Sequence, residues 1–263
     1  MSILLAAAPT SLDVRLPDDP VSRLIFAVDI EGSTERTNLA KGKLRHSLYE
    51  LLEQALEEAG IAARHLEPFT DRGDSVLILI KPHDDVPKTL VLGRLIPILA
   101  SLLAGHNASV TRPELRMRMR AVVHAGEIHE DDKGFYGDDL DAAFRLLEAP
   151  TLKKAFKEAA GAPLILVVSE EIFNGIIQQG YLDESSYRPL VRVRVGRRQR
   201  RGWAHVPDPF SAGPPRASQR PRGQLPSTQL SIAPVNGHGP VPPQARRPDR
   251  GINGREARRL GRE

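Results

Sequence analysis

Two acids that stand beside glycines are the residues of this sequence best suited to chemistry: Asp29, in Phe26-Ala27-Val28-Asp29-Ile30-Glu31-Gly32-Ser33-Thr34, and Asp74, in Asp71-Arg72-Gly73-Asp74. Hard divalent cations prefer oxygen ligands, so two carboxylates delivered to strand ends could share such ions and hold a triphosphate between them. Residues 24–28 are apolar at every position, which suits a strand buried on both faces. Gly32, Ser33 and Thr34 then supply backbone N–H groups and a helix N-cap where an anion could sit. Taken singly, each acid also suits an N-cap or a turn.

The elements that must position these acids follow from the spacing of apolar residues. Leu44, Leu48, Leu51, Leu52, Ala55, Leu56 and Ala59 recur at helical spacing, and Gly60 stops the pattern. Residues 62–70 and 75–80 read as two strands flanking the Asp71-Arg72-Gly73-Asp74 turn. Pro82 and Pro87 precede a helix over about 88–104. Residues 115–124 alternate apolar side chains with Arg116, Arg118 and Arg120, a strand with one buried and one basic face. The order strand, helix, strand, strand, helix, strand is the ferredoxin-like βαββαβ arrangement, an α+β fold in which two helices cover one face of an antiparallel-rich sheet. Helices over 138–149 and 152–159, a strand at 164–168, a helix over 169–177 and two closing strands within 190–206 complete the domain. There is no internal repeat.

Composition bounds the rest. At 263 residues and 40% hydrophobic content, one domain is expected over 21–207, after a flexible leader at 1–20. The absence of cysteine excludes disulfides and thiolate metal sites. No basic n-region precedes the apolar patch at the start, and the apolar segment 90–104, interrupted by Arg94 and Pro97, falls short of a membrane span. A cytoplasmic protein without a membrane partner is expected. The net charge of +4 divides into +6 for residues 208–263 and −2 for the remainder. That basic end also holds ten of the 22 prolines and few spaced apolar residues, so a disordered tail is expected, either without a specific partner or binding polyanions weakly.

Four blocks, in order, carry a resemblance: 26–34, then Arg72-Gly73-Asp74, then Val122-Val123-His124-Ala125-Gly126-Glu127, then Tyr136-Gly137-Asp138-Asp139-Leu140-Asp141-Ala142-Ala143-Phe144-Arg145-Leu146. Over roughly 23–206 the chain resembles the catalytic domain of class III nucleotidyl cyclases, the adenylate and guanylate cyclase family. The resemblance implies conversion of a nucleoside triphosphate to a 3′,5′-cyclic nucleotide and pyrophosphate, with two Mg²⁺ or Mn²⁺ ions per site. It assigns Asp29, Asp74 and the Ile30 carbonyl to the metals, and Glu31, Gly32, Ser33 and Thr34 to the phosphate loop. Arg145 matches the family's transition-state arginine, and Arg198 is the nearest match to its triphosphate-binding lysine. Asp141 stands where the family usually carries asparagine; four residues from Arg145, it also suits an ordinary helical salt bridge.

The base-reading positions depart from the family. Thr70 stands where purine cyclases carry lysine or glutamate, and Gly134 where adenylate cyclases carry an acid or threonine; neither can imitate an adenine-reading pair. The base is therefore left open between purine and pyrimidine. With one such domain per chain, the resemblance implies a homodimer, with metal acids from one copy facing the Asp141–Arg145 helix of the other. A cyclase-like module that binds nucleotide without turnover and a tail-driven nucleic-acid binder are the non-enzymatic alternatives.

Overall fold

The computed structural model describes residues 19–210; the leader up to residue 18 and the tail from residue 211 lie outside the described residues. The strands are β1 (Val21–Ile30), β2 (Thr70–Asp71), β3 (Ser75–Ile80), β4 (Met119–Asp131), β5 (Gly134–Tyr136), β6 (Leu164–Ser169), β7 (Arg188–Val195) and β8 (Arg198–His205). They form one sheet in the order β2-β3-β1-β4-β6-β8-β7, with β5 paired to β4. All pairs are antiparallel except β4 with β6. The helices are α1 (Asn38–Ala59), α2 (Lys88–Leu90), α3 (Ile96–Ser109), α4 (Asp138–Leu147), α5 (Pro150–Glu158) and α6 (Glu170–Ile172). The fold is α+β, as the sequence pattern implies.

β1 has no solvent-facing side because its two faces enter two separate core clusters. Leu24, Phe26, Val28 and Ile30 pack with Leu48 and Leu52 of α1 and Leu99 and Leu103 of α3. Ile25 and Ala27, pointing the other way, pack with Ala143 and Leu146 of α4 and Phe156 of α5. Each fully buried Leu, Ile or Phe contributes roughly 1.5–3 kcal/mol. The two helices expected on one face are α1 and α3, and α4 and α5 add a second covered face that the βαββαβ reading did not contain.

Local chemistry sets the element ends. Thr37 caps α1, its Oγ1 accepting the Ala40 N–H, and Gly60 ends it at φ +81°. The strand expected over 62–70 is reduced to β2, because a 3₁₀ turn occupies Ala63–His65 and Pro68 has no N–H to donate. Ladder contact persists where Leu66 bridges Ile80, with the Glu67 N–H donating to the Leu79 carbonyl at 2.9 Å and the Lys81 N–H to the His65 carbonyl at 2.8 Å. The strand expected from 115 starts at Met119, after a 3₁₀ turn at Pro113–Leu115.

The helix expected over 88–104 is α2 and α3, joined through a π-helical stretch at Val91–Leu95, where the missing N–H of Pro97 leaves the ladder short of a donor. It runs on to Ser109, so at 22 residues it is long and apolar enough to cross a membrane by length and composition, contrary to the expectation from its apolar core alone. Its Leu92, Leu95, Ile96, Leu99 and Leu103 are buried in the protein core. α6 likewise continues as a π-helical segment, Phe173–Tyr181.

Candidate active site

β1 and β3 deliver both acids to one end of the sheet. Asp29 is the register partner of Ser75, and the Ile30 N–H donates to the Asp74 carbonyl at 3.0 Å, so the turn before β3 is pinned to the end of β1. A cleft of about 800 Å³ opens there, lined by Asp29, Arg72, Asp74, Asp141, Phe144, Arg145 and Arg194 among others. The Arg72 guanidinium lies 4.2 Å from the Phe144 ring centroid, closing one side of it.

Asp29 is buried, and its carboxylate is ion-paired with Arg120 of β4. Burial pushes the Asp29 carboxyl up to about 6, with Arg120 pulling against that rise and the neighbouring Asp74 adding to it. Asp29 Oδ1 and both side-chain oxygens of Asp74 have no hydrogen-bond partner among the described residues. Two adjacent carboxylates with free oxygens fit a divalent cation. The fit to a second ion is poorer, because Asp29 Oδ2 already holds a guanidinium.

α4 brings the other candidates. Gly137, at φ +136°, turns the chain into the helix, and Asp138, Asp139 and Asp141 occupy its first turn, where the helix dipole favours acids. Asp141 and Arg145 both line the cleft, and neither side chain has an ion-pair partner among the described residues. The helical salt bridge that their spacing allows is not formed.

Other candidates stand elsewhere. Gly32 adopts φ +66° before a 3₁₀ turn at Ser33–Glu35. Ile30, Ser33, Thr34 and Asp74 line a neighbouring cavity of about 370 Å³ with Lys41 and Arg45. Glu31 is turned away, its carboxylate ion-paired with Arg118 at 2.6 Å. Arg118 also donates to the carbonyls of Ala159 and Ala162 at 3.2 and 3.0 Å and lies 3.8 Å from the Phe156 ring centroid. Thr70 in β2, Gly134 at the start of β5 and Arg198 at the start of β8 line neither cavity. Arg72 and Arg194 are the arginines that join Arg145 in the cleft.

A buried polar network anchors α4 from behind. His124 of β4, 1% exposed, lies 3.4 Å from Asp139 and 3.5 Å from Glu171, and Arg200 of β8 bridges the same two acids at 2.9 and 3.0 Å. Burial opposes a charged imidazole, but the two carboxylates outweigh it and hold the His124 pKa above its ordinary value. His124 also pulls the Glu171 carboxyl down to about 2. Gly126 makes room for this arrangement: a Cβ there would stand 2.2 Å from an Asp139 carboxylate oxygen.

Arg120 is the residue that sequence reasoning missed. It reads as one of three arginines on the basic face of a strand, yet it is the direct register partner of Asp29 across the β1–β4 ladder. The signal was present in the alternation, but only the register turns it into a pair.

No protein-family model and no curated protein sequence matches the chain. Among solved structures, the adenylate/guanylate cyclase/hydrolase from Silicibacter pomeroyi is similar at a TM-score of 0.50 and 23% identity, over 73% of this chain and 99% of that one. The guanylyl cyclase Cya2 is similar at a TM-score of 0.52 and 15% identity, over 74% and 98%. The chain has the fold of the class III adenylate and guanylate cyclase catalytic domains.

Proposed function

We propose that the chain is a nucleotidyl cyclase. In this reaction the 3′-oxygen of a nucleoside triphosphate forms a bond to its own α-phosphorus, the bond to the bridging oxygen of pyrophosphate breaks, and the hydroxyl proton leaves to solvent. The observation that supports it best is one cleft lined by Asp29, Asp74 and an Arg145 that no other side chain among the described residues neutralises. The Arg145 guanidinium suits the charge that develops on the α-phosphate oxygens. Arg72 and Arg194 add positive charge for the β- and γ-phosphates. Asp141, an acceptor only, suits a sugar hydroxyl better than a phosphate.

Asp29 and Asp74 would hold Mg²⁺ or Mn²⁺; when bound, the cation lowers the hydroxyl pKa and neutralises the leaving pyrophosphate. Occupation of a two-ion site requires Asp29 to give up Arg120. The proposed assembly is a cytoplasmic homodimer; in the cleft the Asp141–Arg145 helix stands beside the acids of its own chain, and mixing inactive variants decides whether it serves those or the acids of the other copy.

A second reading has its own observation. Arg120 supplies Asp29 with a permanent positive partner, as a module that binds nucleotide without turning it over would tolerate. Incubating the purified full chain with each of the four ribonucleoside triphosphates, with Mg²⁺ or Mn²⁺, separates the two. A cyclic nucleotide resolved by mass from one of them supports the cyclase and names the base. Nucleotide binding without any cyclic product supports the module.

A further inference from the structure

At the other end of β3 from the acids, three potential metal ligands converge. His65 sits in the 3₁₀ turn after α1, and His83 and Asp85 in the loop between β3 and α2. Their ligand atoms all lie within 4.8 Å of one another. His65 Nε2 is 3.8 Å and His83 Nδ1 3.5 Å from Asp85 Oδ2, and Arg64 reaches the same oxygen at 3.4 Å. Three groups thus surround one carboxylate oxygen while none closes to a strong hydrogen bond. A tetrahedral ion with ligands at about 2.0–2.1 Å holds its ligand atoms ~3.4 Å apart, which is the separation this cluster approaches.

His65 carries the second line of argument. The residue is 4% exposed, and its Nε2 is buried without a hydrogen-bond partner among the described residues. Leaving such a nitrogen unmatched is destabilising, and here it lies within reach of the other two ligands. The frame is fixed by backbone contacts: the Lys81 N–H donates to the His65 carbonyl at 2.8 Å, and the Val86 N–H to the His83 carbonyl at 3.0 Å. The second bond closes a turn that sets His83 and Asp85 side by side, between Pro82 and Pro87, and buried Val86 anchors it to the core. His83 Nδ1 accepts the Asp85 N–H at 3.1 Å, the one bond that ligation through that nitrogen must exchange.

We infer that His65, His83 and Asp85 form a binding site for a divalent transition metal, Zn²⁺ by the chemistry of its donors. Two imidazoles, which are borderline ligands, favour Zn²⁺ over Mg²⁺ or Ca²⁺, the carboxylate is a ligand Zn²⁺ also accepts, and three protein ligands leave a fourth position for water or a partner's side chain. The site stands apart from the Asp29–Asp74 cleft, so it does not depend on the cyclase reading.

The test uses the metal-stripped full chain with excess Mg²⁺, which occupies the Asp29–Asp74 site but not a site of two imidazoles. Co²⁺ is the spectroscopic probe, followed by displacement with Zn²⁺ and by thermal melting. One equivalent of Co²⁺ is expected to give the intense visible bands of a four-coordinate site, Zn²⁺ to abolish them, and Zn²⁺ to raise the melting temperature. His83→Ala, at an exposed ligand, is expected to remove the bands and weaken Zn²⁺ at least tenfold while the circular dichroism stays unchanged; Asp85→Ala is the second variant. A Co²⁺ spectrum that is octahedral, or one that survives in folded His83→Ala and Asp85→Ala chains, overturns the assignment.

Discussion

Asp29 and Arg120 face each other directly across the β1–β4 ladder, and both are more than nine-tenths buried. A buried ion pair is costly to break from one side, because the remaining charge loses its partner. Here the pair also competes with any cation that Asp29 binds. Arg120→Met is therefore expected to lower thermal stability at pH 8 while tightening Mn²⁺ binding roughly tenfold, equivalent to about 1.4 kcal/mol of competition removed. Calorimetric titration of the folded variant checks it; unchanged or weaker Mn²⁺ affinity would show that Arg120 and the metal do not share Asp29.

The raised Asp29 pKa, about 6, has a definite sign. Between its ordinary value and about 6 the folded chain holds a proton that the unfolded chain has released, so this group's contribution to stability falls as pH rises through that window. A cation must displace the same proton. Affinity for Mn²⁺ is expected to rise about tenfold per pH unit up to about 6 and to flatten above it. In Asp29→Asn both dependences should vanish, as Mn²⁺ titrations and urea melts across the pH range would reveal.

Gly126 is the tightest point behind the cleft. Gly126→Ala drives a methyl against the Asp139 carboxylate and Cβ, at 2.2 and 2.5 Å, in a backbone region any residue could otherwise adopt. The first turn of α4 must shift, and with it Asp141 and Arg145. A loss of about 1–3 kcal/mol in stability is expected, with a larger proportional loss in cyclisation than in nucleotide binding. A variant with wild-type stability and rate would mean that α4 is not held through Asp139.

Mixing separates a site shared between copies from one contained in a single chain. If Asp29 and Arg145 act from different copies, equal amounts of inactive Asp29→Ala and Arg145→Ala chains should recover about a quarter of wild-type activity after subunit exchange, since half the dimers are mixed and each carries one intact site. Exchange demonstrated by mass without recovery would place the complete site in the cleft of one chain.

Much of the fold is legible because its signals are local. The apolar run of β1, the helical spacing from Leu44 to Ala59 and the stop at Gly60 each act through near neighbours, and each appears as an element. What escaped depends on distant partners. Arg120 becomes the partner of Asp29 through a register joining residues 91 apart in sequence. The second helical layer of α4 and α5 follows from the crossover into the parallel pair β4–β6, and no residue within either helix announces which face it covers. Pro68 did announce the interruption of the strand before β2, through its missing donor, but the apolar residues around it carried the stronger pattern. The pair Asp141 and Arg145 shows the converse: the spacing permits a bond that the cleft leaves unmade.

Arg118 bears on how this site could be moved to another scaffold. Its guanidinium binds Glu31 beside the β1 loop and, with its other N–H groups, the carbonyls that end α5. A transplant consisting of β1, its loop and the β2–β3 turn would carry the acids but leave the loop's anchor behind. The smallest portable unit must therefore include β4 and α5, two segments that contribute little to the cleft and decide whether its floor stays in place.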